Sequence, residues 1–400
     1  MAQHYSRFKG ALAIACVLFQ ASPALASNHR TNTAAAFERG LASAPATGDK
    51  PLAHGTLAER LVQAKVPGVS IAVVDGCKVA WAKGYGVLSV SRSERVNSKT
   101  RFQAASISKI LTAVAVMRQV EQGKVQLDQP VNDVLRTWKL PATASGDPAK
   151  VTLRALLSHT GGTSVEGFPG YAKGVAVPTV PQVLKGEAPA NTPAVVAEKT
   201  PGAQISYSGG GYVVLQQMLE DVTGRSFSRQ LARDVLRRAG MTASGFDDLW
   251  RDAPNVAWGH TETGAVLDGQ WHSYPELAAA GLWSTPTDLA RFGTDITRAF
   301  QGAKGHLLSP AMAREALKAQ SGYSRPFGLG FRTANAENGD TLFFHAGANE
   351  GYRAILAMNA TTCQGVAVMT NGDGGTALWM ALLRDLARIN DWPFLRTLVG

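Results

Sequence analysis

The sequence predicts an α+β fold, in which an antiparallel β-sheet is flanked by helices and joined to a mostly helical subdomain. Two strand-like runs connected by a tight turn lie near the amino terminus, and four more lie towards the end of the 400-residue chain. The intervening residues, about 123–325, are mostly helix-periodic segments and loops. A sheet assembled from both ends of the chain would leave a cleft between itself and the helical subdomain.

The first 26 residues are typical of a signal peptide. Arg7 and Lys9 precede an apolar run over residues 11–19, and Ala24-Leu25-Ala26 supplies an A-x-A cleavage site. The apolar run is too short to span a bilayer. We therefore expect cleavage after Ala26 and a periplasmic protein with no stable membrane anchor.

Residues 27–55 are rich in Ala, Ser, Thr and Pro without periodicity, which predicts a flexible leader. The folded domain is predicted over residues 56–395. Thr56 and Glu59 have the spacing of a capping box, so a first helix should begin there and end before Pro67-Gly68. A β-hairpin is predicted next, over residues 70–86.

The segment Ser106-Ile107-Ser108-Lys109 opens a long apolar-periodic stretch that ends at Gly123. Residues three apart on a helix share a face, so Lys109 Nζ is predicted to reach Ser106 Oγ and remove its proton. On the first turn of a helix, the Ser106 N–H would have no intrahelical partner and could stabilise an oxyanion. The alternative is an N-cap serine followed by a lysine whose stem packs on apolar neighbours.

Two later segments place polar side chains beside glycines. Tyr207 lies just before three consecutive glycines that begin an amphipathic helix, which predicts an open, tightly turned loop. His345 lies in Phe344-His345-Ala346-Gly347, a pattern expected of an edge strand that lines a cleft. The alternatives are a tyrosine packed on the core and a strand histidine with satisfied hydrogen bonds. Strands are predicted over residues 327–333, 341–346, 352–359 and 365–370, followed by a terminal helix over residues 376–389.

The three motifs Ser106-x-x-Lys109, Tyr207-Ser208-Gly209 and His345-Ala346-Gly347 occur in the order and at roughly the separations of a known set of signatures. The chain resembles the serine β-lactamase-like and penicillin-binding protein family over about residues 56–390. This family includes class C β-lactamases, DD-peptidases, D-aminopeptidases and family VIII carboxylesterases. The resemblance implies the β-lactamase/transpeptidase-like fold.

The resemblance also implies catalytic roles. Ser106 would be the nucleophile, Lys109 its immediate base partner, and Tyr207 the group that takes the serine proton and returns it to the leaving group. That role requires a phenol that ionises more readily than in water, and the charge of Lys109 has the sign to favour this.

The substrate-binding residues are implied in the same way. The N–H groups of Ser106 and Ala348 would form the oxyanion hole. His345 would offer a donor near the substrate carbonyl or carboxylate, and Asn349 beside the strand would line the pocket. Gly347 would let a peptide lie along the strand as an added strand.

Two departures from the family pattern narrow the expected substrates. The second signature ends in Gly209 and lacks the asparagine that binds the acylamino side chain of β-lactams, which argues against an efficient β-lactamase. His345 stands where most β-lactamases carry lysine and would be fully charged only at mildly acidic pH, which disfavours a strict DD-carboxypeptidase. We expect an exported serine hydrolase that cleaves a small amide or peptide, with D-residue-containing peptides among its candidate substrates. A carboxylesterase, a weak class C-like β-lactamase and a non-catalytic binder of cell-wall peptides or penicillin are the alternatives.

Cys77 and Cys363 are the cysteines left after signal-peptide removal, and each lies at a turn beside a predicted strand. In the resembled family the first strand lies antiparallel beside the last, which would bring the two turns together. The resemblance therefore implies a disulfide, and the alternative is two buried thiols.

The composition argues against other classes of partner. The 40 basic and 30 acidic residues give a net charge of +10, but no basic stripe is interleaved with aromatic residues, so no nucleic-acid partner is expected. No histidine shows metal-ligand spacing, so we expect neither metal nor cofactor. A small peptide, amide or ester is the expected partner, and the sequence leaves the oligomeric state open.

Overall fold

The computed structural model describes residues 33–42, 52, 55–246, 253–320 and 326–399. The predicted signal peptide lies outside the described residues. The described residues belong to one compact unit. None of the described helices is both long enough and apolar enough to cross a bilayer.

One six-stranded antiparallel sheet joins the two ends of the chain, and a short two-stranded ribbon lies outside it. The sheet strands are β1 (Gly68–Asp75), β2 (Lys78–Gly86), β5 (Arg332–Asn335), β6 (Thr341–Asn349), β7 (Tyr352–Asn359) and β8 (Gln364–Thr370), and the ribbon strands are β3 (Phe102–Ala105) and β4 (Leu282–Ser284). The order in the sheet is β2-β1-β8-β7-β6-β5, so the amino-terminal hairpin pairs with the last strand. This arrangement, together with the helices below, confirms the predicted fold class.

Helices lie on both faces of the sheet, and the segment between β2 and β5 consists of helices joined by long loops. They are α1 (Ala34–Ala42), α2 (Leu57–Gln63), α3 (Ser108–Glu121), α4 (Val131–Val134), α5 (Leu153–Leu157), α6 (Val180–Lys185), α7 (Gly209–Thr223), α8 (Phe227–Leu231), α9 (Leu277–Ala280), α10 (Pro286–Phe300), α11 (Pro310–Leu317), α12 (Gly375–Ile389) and α13 (Pro393–Val399). A turn of 3-10 helix over Pro148–Lys150 and a π-helical turn over Ala232–Leu236 complete the helical segments of the described chain.

The strand alternation divides the core between the two faces of the sheet. On β1, Ile71 and Val73 face a core that includes apolar residues of α1, α2, α12 and α13. Ala72 and Val74 point the other way, into the larger core built with α3, α7 and α10. Because both faces of β1 are covered, its sequence is almost continuously apolar.

The predicted flexible leader is wrong for Ala34–Ala42, which form α1. Phe37 and Leu41 lie four residues apart on one helical face and are each 2% exposed. Phe37 packs on Trp81 of β2 with ring centroids 5.4 Å apart. The overall composition of residues 27–55 gives no sign of this short apolar stripe. The stripe is stable because the sheet and α12 cover it.

The strand predicted over residues 327–333 is also shifted, because β5 begins at Arg332. Gly330 has a φ of +90°, and a Cβ there would lie 2.3 Å from the Ala113 Cβ on α3. The chain before β5 is therefore a turn packed against α3, and its apolar residues are buried in that packing rather than in the sheet.

Cys77 and Cys363 are joined by a disulfide, with their Cα atoms 5.0 Å apart. The Cys77 N–H donates to the Cys363 carbonyl over 3.1 Å, and the pairing of β1 with β8 brings the two turns to one end of the sheet. The bridge spans 286 residues of sequence, so it should strongly restrict the unfolded chain.

We predict that the denatured, unreduced mature protein contains no titratable thiol. Reduction should expose two thiols per chain and destabilise the protein by several kcal/mol. Two thiols before reduction would show that the bridge does not form.

Candidate active site

Ser106 lies on the turn between β3 and α3, where the chain passes from a buried strand into a buried helix. The helix begins at Ser108, so Ser106 precedes the first turn on which it was expected. Ala105 adopts a φ of +51°, a conformation that non-glycine residues rarely adopt and that is often found at functional sites. Among the described residues, the Ser106 N–H donates to no backbone carbonyl.

Lys109 is 2% exposed and directs its ammonium group at Ser106. Its Nζ donates to Ser106 Oγ over 3.1 Å and to the Ala279 carbonyl over 2.8 Å. The same atom lies 5.1 Å from the ring centre of Tyr207 and 5.7 Å from that of Tyr212. Two hydrogen bonds and two aromatic faces thus compensate the burial of this cation.

Tyr207 is held in place by His159. The two rings stack with centroids 4.3 Å apart. The His159 carbonyl accepts the Ser206 N–H over 2.8 Å, and its Nδ1 accepts the Ser208 N–H over 3.1 Å. Burial and the charge of Lys109 keep the pKa of His159 well below its ordinary value, so the ring stays neutral and Nδ1 remains an acceptor.

His345 does not present a cation to the substrate side, contrary to the expectation of a charge at mildly acidic pH. Its side chain is 2% exposed, and Nδ1 lies 2.7 Å from the Ala346 carbonyl, to which it donates. Burial, reinforced by the charge of Lys109, lowers the His345 pKa to about 3. Its ring centre lies 6.4 Å from that of Tyr207, so the ring is a neutral, buried neighbour of the tyrosine.

Gly347 is required by the packing of β6 on the nucleophile turn. A Cβ at this position would lie 2.1 Å from the Ala104 carbonyl oxygen and 3.2 Å from the Ala105 Cβ. The expected reason for the glycine, space for a bound peptide, is therefore wrong for this face of the strand. β5 pairs with β6 only as far as Phe344, so beyond that residue β6 is an edge strand, as expected.

Asn349 is placed differently from the expected pocket residue. It is 5% exposed, and its Nδ2 donates to Gln103 Oε1 over 2.7 Å and to the Ala280 carbonyl over 3.2 Å. The amide therefore connects β6 to β3 and to α9. The Ala279 carbonyl of the same helix accepts the hydrogen bond from Lys109 Nζ. Side chains on β6 alternate between the two faces of the strand, so Asn349 faces the interior together with His345 and Gly347.

Ser106 and Tyr207 open onto a common cavity of about 500 Å³. Ala346, Gly347 and Ala348 of β6 also line this cavity. Three further lining residues, Glu166, Thr376 and Trp379, were not identified from the sequence, because they come from a loop and from α12, far from the recognised motifs. The complete lining is Ser106, Glu166, Gly167, Tyr207, Ala346, Gly347, Ala348, Thr376 and Trp379.

The arrangement is suited to nucleophilic acyl transfer. A serine hydroxyl lies within hydrogen-bond distance of an amine, and a phenol lines the same cavity. The Ser106 N–H donates to no backbone carbonyl of the described residues. Within the described chain, no group of His, Cys, Asp and Glu side chains has the arrangement of a metal site.

The β-lactamase family model matches residues 53–388. The chain belongs to the β-lactamase family. It is 24% identical over 340 residues to protein flp of Staphylococcus aureus strain COL, covering 81% of this chain and 64% of that protein. It thus spans less than two thirds of the length of the curated relatives it matches first.

Solved structures show the same fold. The octameric penicillin-binding protein homologue from Pyrococcus abyssi superposes with a TM-score of 0.70 at 24% identity, covering 84% of this chain and 77% of that one. The D-amino acid amidase from Ochrobactrum anthropi SV3 superposes with a TM-score of 0.68 at 19% identity, covering 88% and 98%. The family resemblance seen in the sequence is confirmed.

A buried acid lies beside the segment that positions Lys109. Glu276 occupies the N-cap position of α9 and is fully buried, and within the described chain neither of its carboxyl oxygens bonds to another residue. Burial raises its pKa from an ordinary 4.5 to about 7. Its titratable neighbours, Tyr171 and Tyr274, have pKa values raised by burial and supply no compensating positive charge.

We predict that the Glu276→Gln variant becomes increasingly more stable than the wild type as the pH rises. From pH 4.5 to 7 the folded state holds a proton that the unfolded state releases, so wild-type stability falls through this window. The advantage of the variant should be on the order of 3 kcal/mol larger at pH 8 than at pH 4.5. Urea unfolding at both pH values measures it, with exposed Glu262→Gln as the control; a pH-independent difference would contradict the raised pKa.

Proposed function

We propose that this protein is an exported serine hydrolase that cleaves a small amide or peptide through an acyl-enzyme on Ser106. The observation that carries the proposal is the 3.1 Å hydrogen bond between Lys109 Nζ and Ser106 Oγ at the base of a cavity. The serine oxygen would attack the carbonyl carbon while its proton passes to Tyr207, which lies beside the Lys109 charge. Tyr207 would return that proton to the leaving group, and water would then release the acyl group.

The backbone beside Ser106 supports stabilisation of the tetrahedral intermediate. The Ser106 N–H has no backbone partner in the described structure, and Ala348 lines the cavity on the facing strand. We assign these two N–H groups to the oxyanion hole, where they would stabilise the negative charge that develops on the substrate oxygen. His159 would act as a positioning residue, because it fixes the backbone on both sides of Tyr207.

The neutral state of His345 bears on the choice of substrate. With its pKa near 3, the ring offers no positive charge to a terminal carboxylate at neutral pH. This favours amides, internal peptide bonds or esters over the substrates of a carboxypeptidase. The likeness to an enzyme described as a D-amino acid amidase supports testing D-amino acid derivatives first.

A carboxylesterase differs from this proposal only in the leaving group. A weak class C-like β-lactamase and a non-catalytic binder of cell-wall peptides or penicillin are further alternatives. The buried lysine beside the serine favours catalysis over binding alone, because a binding module has no use for a base at that position.

We predict that Ser106→Ala abolishes turnover of every substrate that the wild type hydrolyses. The test is a panel of p-nitrophenyl esters, D- and L-aminoacyl anilides, linear peptides and nitrocefin. Ser93→Ala, an exposed serine away from the cavity, is the matched control and should retain wild-type rates. Residual activity of the Ser106 variant above background would show that another group is the nucleophile.

A further inference from the structure

A second cavity, of about 730 Å³, lies between α2 and the chain at the end of β2, and we call it the α2–β2 groove. Its volume is within the range of about 300–1,000 Å³ that is typical of small-molecule sites. One wall is the α2 face that carries Ala58 and Val62, four residues apart, and the other is formed by residues within 83–96. No described residue lines both this groove and the Ser106 cavity, so the two cavities are distinct.

The groove contains the most exposed large apolar side chains of the described structure. Val62 is 77% exposed and Val90 is 60% exposed, and they come from the two different walls. Three further lining residues, Leu57, Leu61 and Val96, are each at most 7% exposed. The apolar lining therefore continues from the surface into the protein. An exposed apolar surface with a polar rim is typical of a binding site.

The rim of the groove is positively charged. Among the described residues, the ionisable side chains of the lining are Lys65, Lys83, Tyr85 and Arg95, and none is acidic. Lys83 forms an ion pair with Glu38, which lies outside the lining. Lys65 and Arg95 are exposed, and neither side chain makes a hydrogen bond or an ion pair with any described residue. Their uncompensated charges favour an anionic group at the rim.

The hydroxyl groups of the groove are already engaged within the chain. The Tyr85 hydroxyl donates to Glu38 Oε1 over 2.9 Å, and the Thr263 hydroxyl lies 2.9 Å from Thr261 Oγ1. A sugar, a nucleotide or a peptide presents many polar groups, each of which needs a hydrogen-bond partner when it is buried. The groove instead offers apolar contact in its interior and positive charge at its rim, which suits an amphiphile with one anionic end.

We propose that the α2–β2 groove binds a free long-chain fatty acid. The alkyl chain lies along the apolar lining, and the carboxylate lies at the rim with Lys65 and Arg95. The bound chain covers Val62 and Val90, which removes their apolar surface from water. Binding at this site does not depend on hydrolysis at Ser106, so the inference goes beyond the proposed function.

Isothermal titration calorimetry of the mature protein with dodecanoate tests the inference. We expect saturable binding of one molecule per chain, and each CH₂ added between octanoate and dodecanoate should tighten Kd by about two- to fourfold. Dodecyltrimethylammonium has the same chain and the opposite charge, and it should bind at least about tenfold more weakly. Added salt should weaken dodecanoate binding, because the charges of the rim are exposed to solvent.

Variants of the exposed lining residues locate the site with little risk to folding. Val62→Asp places a carboxylate in the apolar wall and should weaken dodecanoate binding at least about tenfold. The double variant Lys65→Glu, Arg95→Glu reverses the charge of the rim and should weaken it at least about fivefold. The matched controls are Val175→Asp, at a valine that is 54% exposed, and Arg237→Glu, at an exposed arginine. Both positions lie outside the groove, so these variants should retain the wild-type Kd.

The same titrations include the outcomes that overturn the inference. Ser106→Ala should bind dodecanoate as the wild type does, and loss of binding in that variant would place the ligand in the Ser106 cavity instead. Absence of saturable binding, or a wild-type Kd in Val62→Asp, would also overturn the inference. Light scattering after gel filtration tests the remaining occupant, since a dimer that Val62→Asp dissociates would show that a second copy of the chain covers the groove.

Discussion

The buried ammonium group of Lys109 is the constraint on which the site depends. A cation that is 2% exposed is stable in a protein interior only if its protons are donated to well-placed acceptors. Here the acceptors are Ser106 Oγ, two residues before α3, and the Ala279 carbonyl on α9. The lysine therefore fixes the distance between the nucleophile turn and a segment about 170 residues further along the chain.

Burial and the Lys109 charge together determine the protonation of the two histidines near the cavity. Burial lowers the pKa values of His159 and His345, and the charge of Lys109 lowers them further. Both rings are neutral at physiological pH, which leaves one buried cation where three basic residues meet. His159 can then accept the Ser208 N–H at Nδ1, which a charged ring with both nitrogens protonated could not do.

The parts of this structure that the sequence predicted are the ones set by local geometry. Three-residue spacing brings Lys109 to Ser106, and strand boundaries such as Tyr352–Asn359 follow from apolar runs bounded by turn residues. The partners of the Asn349 amide, Gln103 on β3 and the Ala280 carbonyl on α9, come from distant parts of the chain, which no local pattern specifies. The sequence did not identify Glu166 as a cavity residue, because its placement depends on a strained loop that packs against the glycines of α7.

The central claim is that Lys109 makes Ser106 an activated nucleophile, and reaction with a fluorophosphonate tests it most directly. The intact mass of the mature protein would be measured after exposure, followed by peptide mapping of any adduct. The account predicts one adduct per chain, on Ser106, and its loss when Lys109 is replaced by methionine in a protein that remains folded. A folded wild-type protein that acquires no adduct, or acquires it on another residue, would contradict the account.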